Sequence, residues 1–127
     1  MSCPFFLPTA PAPDLPFPHP ERLPLGAAYS GHCTAANLSP TVDQLHGCNL
    51  GYAECAHLPA DRAADAVRFS IRRDPAGLLT IQYVCEAAHA PVAHGALRFD
   101  AGGLCNEPHA DARIQRMAEC CVHSHAK

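Results

Sequence analysis

The sequence predicts an α+β fold: a small three-stranded antiparallel meander packed by a C-terminal helix. Three observations predict it. Val67, Phe69 and Ile71 alternate with Arg68, Ser70 and Arg72, the period of a half-buried strand. Asp74-Pro75-Ala76-Gly77 is a turn signal leading into a second apolar run. Ile114, Met117, Ala118, Cys121 and Val122 then recur at three- and four-residue spacing, the apolar stripe of a helix. At 127 residues the chain reads as one domain, 1–127, with a modest core, since tryptophan is absent and aromatic residues are few.

Residues 1–31 hold eight of the thirteen prolines, which argues against a helix or a central strand there. A floppy leader is the alternative reading of such a segment, but Phe5, Phe6, Leu7, Leu15, Phe17, Leu23, Leu25 and Tyr29 give it an unusual apolar density. The segment is expected to be an irregular, extended arm laid over the domain. Residues 32–60 form a cysteine-rich region with one short helix, about 40–47, started by Ser39 as N-cap and Pro40 at the first helical position. Residues 61–127 carry a possible helical turn at 61–66, the meander and the C-terminal helix.

Within the meander, register follows from matching apolar faces. A three-residue loop with Gly77 left-handed pairs Ile71 with Ile81, Phe69 with Tyr83 and Val67 with Cys85. Cys85 then points into the core and is chemically inert. Residues 86–95 read as a loop, 96–100 as a short third strand with Leu97 and Phe99 inward, and 109–122 as the final helix.

Eight cysteines and nine histidines are the compositional outliers. No basic start and uninterrupted apolar run marks an export signal, and no run is long enough to cross a membrane. The expected compartment is the cytoplasm, where clustered thiols bind metal more often than they form disulfides. A secreted four-disulfide scaffold is the competing reading of the even count. The net charge of -3 argues against nucleic acid, which needs a basic face.

Four cysteines, Cys3, Cys33, Cys48 and Cys55, lie where regular structure is weakest and make a complete thiolate set for one metal centre. Their long separations suit a [4Fe-4S] cluster, which takes ligands from separate loops, better than zinc, which favours close pairs such as C-x₂₋₄-C. Pro4 after Cys3 is the residue that follows the last ligand in bacterial ferredoxins. A condition attaches to Cys48 and Cys55. On one unbroken helix they would stand about 10.5 Å apart along the axis, whereas thiolates on one metal lie about 3.8 Å apart. A break is therefore required, and Gly47, Asn49 and Gly51 are the residues able to supply it.

The expected roles are electron transfer, redox sensing or structural support, with a redox partner protein or larger complex as the partner. Zinc in a binding module without redox function is the alternative, with His32, His46 or His57 able to replace a cysteine. A thiol-dependent enzyme is the third reading, although no nucleophile elbow, phosphate loop or dinucleotide fingerprint occurs. Two weaker groupings are Glu86 with His89 and His94, and the tail Cys120, Cys121, His123 and His125. Histidines at a helix C-terminus are favourable on dipole grounds alone. Cys105 is a loop thiol with no evident partner.

Overall fold

The structure is a computed structural model. It describes residues 2–50, 58–100 and 102–125, with the side chains of His46, Gly47, Leu50 and His125 left aside. In chain order the elements are β1 (Phe6–Pro11), β2 (Tyr29–Cys33), α1 (Val42–Leu50), β3 (Ala66–Arg73), β4 (Leu79–Ala87), β5 (Ala90–Phe99) and α2 (Ala112–His125). A three-stranded antiparallel sheet, β3-β4-β5, packs against α2, and β1-β2 form a second, two-stranded sheet. The fold is α+β.

The β3–β4 register is the one the apolar pattern requires: Ile71 opposes Ile81, Phe69 opposes Tyr83 and Val67 opposes Cys85. The Gly77 amide donates to the Asp74 carbonyl at 3.0 Å, and Gly77 is left-handed at φ +88°, so a type I turn closes through a bulge. Asp74 Oδ1 accepts from the Ala76 and Leu78 amides, which fixes the turn from inside.

Residues 86–95 are not a loop. β4 continues to Ala87, β5 begins at Ala90, and the two run antiparallel with one bulge near Glu86. Ala88 and His89 form the connection, both left-handed at φ +52° and +64°. Neither is the Asn or Gly such a turn normally uses, so the sequence carried no hairpin signal. The strain is offset from outside: Asp65 Oδ2 accepts the Ala88 amide at 2.7 Å. That bond, followed by Arg62, holds the Asp65 carboxyl below its ordinary range. Pro91 and Gly95 obscured the strand further. Pro91 is tolerated because β5 is an edge. Gly95 is required because it opposes Tyr83, and a Cβ there would sit 2.5 Å from the Tyr83 hydroxyl.

The proline-rich arm is more regular than expected. Phe6 to Pro11 pairs antiparallel with Tyr29 to Cys33, with Phe6 opposite Cys33 and a bulge between Pro8 and Ala10. A two-stranded sheet has only edges, which is where prolines can sit. Pro8 and Gly31 face each other so closely that a Cβ at Gly31 would lie 2.1 Å from the Leu7 carbonyl oxygen. Arg116 on α2 donates to the Pro8 and Thr9 carbonyls at 2.8 and 3.0 Å, satisfying acceptors the ladder leaves over. Phe6, Leu25 and Tyr29 join Val67, Ile81, Phe99 and Met117 in one core. The arm is thus part of the core.

Helix α1 starts later and ends later than the sequence suggested. Thr41, not Ser39, is the N-cap. Its amide donates to Gln44 Oε1 at 2.8 Å, and the Gln44 amide returns to Thr41 Oγ1 at 3.4 Å. This is a capping box, legible as Thr-x-x-Gln. Residues 61–65 are turn and irregular chain rather than helix, and Ala66 already opens β3. Helix α2 is shifted toward the C-terminus and capped by Asp111, whose Oδ1 accepts the Arg113 amide at 3.0 Å.

Asn49 joins α1 to β2. Fully buried, it accepts from the Tyr29 amide at 3.0 Å and donates to the Tyr29 and Leu45 carbonyls at 2.9 and 2.8 Å. Replacing Asn49 with Ala orphans two buried backbone groups of Tyr29 and is expected to cost roughly 2–4 kcal/mol. Urea unfolding of the variant checks this, and a loss under about 0.5 kcal/mol would contradict it.

Candidate metal centre

The N-terminal segment is placed by backbone pairing. Ser2 forms a two-way bridge with Val67 at 2.7 and 2.8 Å, adding to the edge of β3. The next residue turns away: the Cys3 amide donates to the Cys48 carbonyl at 3.2 Å. That carbonyl is among the last four of α1, which lack partners within the helix, so Cys3 satisfies a helix-end acceptor. The Phe6 amide then closes on the Cys3 carbonyl at 3.1 Å. Pro4 holds the second position of this turn, a sufficient structural reason for a proline after Cys3.

Cys33 reaches the same neighbourhood through the pairing of Phe6 with Cys33. It ends β2, is buried, and exchanges backbone bonds with Leu38 at 2.8 and 3.3 Å. Cys3 and Cys48 are half-buried and pack against the core. Three cysteines far apart in sequence therefore stand on three adjoining segments. Arg113 is the nearby cation: it lies 5.2 Å over the Phe5 ring, and its guanidinium is held charged by Asp111 first and by Cys3 to a smaller degree.

Cys55 lies outside the described residues, as do Gly51 and His57. Helix α1 runs on through Gly47 and Asn49 to Leu50, so the expected end of the helix at Gly47 is corrected. Asn49 is the reason, because its bonds to β2 and to Leu45 are made in helical geometry. Among the described residues, no three His, Cys, Asp or Glu side chains are grouped to hold a metal ion.

The other candidates separate clearly. His32 Nε2 is hydrogen-bonded to Asn37 Oδ1 at 2.9 Å, and the His46 side chain is not described. Glu86 is buried and paired with Arg68 at 3.3 Å, while His89 sits in the hairpin turn and His94 opposes Val84. Cys105 Sγ stands 4.0 Å from Gln115 Oε1. Cys85 is buried as expected, and burial, then Asp111, raises its pKa.

The two cysteines of the C-terminal tail belong to the core, whereas His123 is exposed. Both Cys120 and Cys121 are buried, and burial pushes their thiols up to about 11 and about 12. Both thiols belong to the packed core. The helix turn carrying them also fixes Tyr29, whose hydroxyl donates to the Cys120 carbonyl at 3.1 Å and pairs with Ser124 Oγ at 2.7 Å. Sequence reasoning had no signal for this pairing beyond a tyrosine in a proline-rich stretch.

A second polar cluster was missed altogether. His109 Nδ1 accepts the Asp111 amide at 2.8 Å, and its Nε2 lies 2.9 Å from the Tyr83 hydroxyl. The neutral ring therefore carries its proton on Nε2 and donates to Tyr83. It ties β4 to the start of α2. Set beside known proteins, the chain matches no family model, no curated protein and no solved structure. Among the described residues no helix is long and apolar enough to cross a membrane.

The raised thiols make stability pH-dependent. Unfolded, Cys120 and Cys121 ionise near 9.0, and folded near about 11 and about 12. Above 9.0 the unfolded chain releases protons that the folded chain keeps, so stability is complete below that pH and falls through about 12. Urea midpoints measured across this alkaline range should decline, and less steeply in the Cys120→Ala, Cys121→Ala variant. A profile unchanged by the double substitution would contradict this.

Proposed function

We propose that this protein binds one metal centre through Cys3, Cys33, Cys48 and Cys55, a [4Fe-4S] cluster in the first reading. The observation supporting it is the bond from the Cys3 amide to the Cys48 carbonyl, in a turn whose last residue pairs with Cys33. This sets side by side the segments that carry Cys3, Cys33 and Cys48, residues 15 to 45 positions apart as numbered in the chain, whose side chains are not themselves grouped for a metal in this arrangement. The donor set suits the group: soft thiolate ligands select iron–sulfur clusters or zinc. Cys55, outside the described residues, would be the fourth ligand. Bound there, a cluster would supply one-electron redox chemistry, and Arg113 would balance part of the thiolate charge.

The role is electron transfer, redox sensing or support within a larger assembly, in the cytoplasm. Zinc on the same residues, without redox function, is the second reading. It draws on the same donor set, since zinc is also bound by cysteine thiolates. No nucleic-acid partner is proposed, given the net charge of -3.

Anaerobic purification with metal and sulfide analysis tests the reading. Iron with acid-labile sulfide and broad absorption near roughly 400 nm is expected. Stoichiometric zinc in a colourless protein would replace the cluster, and neither metal would end the proposal. Cys3→Ser and Cys48→Ser should each lose most of the metal, whereas Cys85→Ser should keep it. Full retention in the Cys3 variant would remove Cys3 from the ligand set.

A further inference from the structure

We infer that Cys3 and Cys48 form a reversible disulfide that staples the N-terminal segment to α1 when the protein is oxidised. The inference concerns residues of the proposed metal site, but the contact that carries it is a property of the chain without metal. The Cys3 amide lies 3.2 Å from the Cys48 carbonyl oxygen. With standard backbone lengths, that bond sets the two Cα atoms roughly 5–6.5 Å apart. Native disulfides span Cα separations of about 4.4–6.8 Å. The backbone separation thus falls within the disulfide range.

The remaining described cysteines lack this arrangement. Cys33 opposes Phe6 in the β1–β2 ladder, and Cys85 opposes Val67 and Ala93 in the large sheet. Cys105 bridges to Phe99. Cys120 and Cys121 are sealed in α2. Cys3 and Cys48 are both half-buried, so an oxidant of the size of hydrogen peroxide reaches them more readily than the buried thiols.

The chemistry balances with a peroxide as oxidant. One thiol attacks the peroxide O–O bond, becoming a sulfenic acid and releasing water. The second thiol attacks that sulfur, the S–S bond forms, and a second water leaves. Two thiols lose two hydrogens, and one peroxide is reduced to two waters. The consequence is structural. Cys3 is joined to Ser2, which sits on β3, so the link ties β3 and α1 together through the first three residues. A sulfur in the disulfide cannot serve as a thiolate ligand, so oxidation and metal binding exclude each other at this pair.

The test uses full-length protein, reduced and stripped of metal by a chelator, then treated with one equivalent of hydrogen peroxide. Intact mass should fall by two hydrogens, and a non-reducing peptide map should show Cys3 joined to Cys48. Labelling of both by N-ethylmaleimide should drop at least tenfold and return after dithiothreitol. The mass change should persist in Cys33→Ser and Cys55→Ser and vanish in Cys3→Ser. An unchanged mass, a covalent dimer, or a link joining Cys55 to either residue would overturn the inference. Metal content, measured on separate untreated protein, decides the metal proposal, so either can fail alone.

Discussion

The rest of the structure depends on one buried amide. Asn49 gives Tyr29 the acceptor and donor that a neighbouring strand would otherwise provide, and takes the Leu45 carbonyl as well. Without it, the amide and carbonyl of Tyr29 would face α1 unpaired in a dry environment. The tyrosine so placed reaches across to α2, where its hydroxyl meets the Cys120 carbonyl and Ser124. Three elements from three parts of the chain are thereby fixed by two side chains. Helix α1 has only a weak apolar stripe of its own, with Leu45 as its buried aliphatic anchor. Its position is set by hydrogen bonds more than by hydrophobic area.

The same logic accounts for the proline-rich arm. Prolines at positions 8 and 11 remove ladder donors, so β1 cannot be held by strand pairing alone. Arg116 compensates by donating to two of its carbonyls, and Phe6 compensates by burial. The charged side chain is here a structural part of the arm. Because the arm is held, Cys3 has a defined place, and the cysteines divide into two kinds. Cys85, Cys120 and Cys121 are sealed in the core with raised pKa values. Cys3 and Cys48 stand half-buried at a junction of segments.

Much of the α+β frame was legible because its signals are local. The alternation from Val67 to Ile71, the Asp-Pro-Ala-Gly turn and the stripe on α2 each reflect a fixed geometric period. The β3–β4 register could be worked out to the residue, since a shift by one would turn Ile71, Phe69 and Val67 outward. The N-terminal half of β5 was not legible. Its hairpin uses Ala88 and His89 in a conformation that neither favours, held by an aspartate more than twenty positions away. The capping box of Thr41 and Gln44 was legible but was obscured by the Ser-Pro pair just before it.

For the candidate site, the sequence by itself determined which residue types were present and a condition on their spacing. Helix geometry made a turn between Cys48 and Cys55 necessary for a shared centre. It could not say which thiols are sealed, because burial depends on neighbours distant in the chain. Cys120 and Cys121 look like a metal-binding tail as letters and are core once α2 packs on β1 and the sheet. Conversely, the letters group Cys3 with Cys48 only as members of one thiolate set and carry no sign of the backbone contact between them. That meeting was decided only in three dimensions, by a helix end with spare carbonyls and an N-terminal segment with an amide to give.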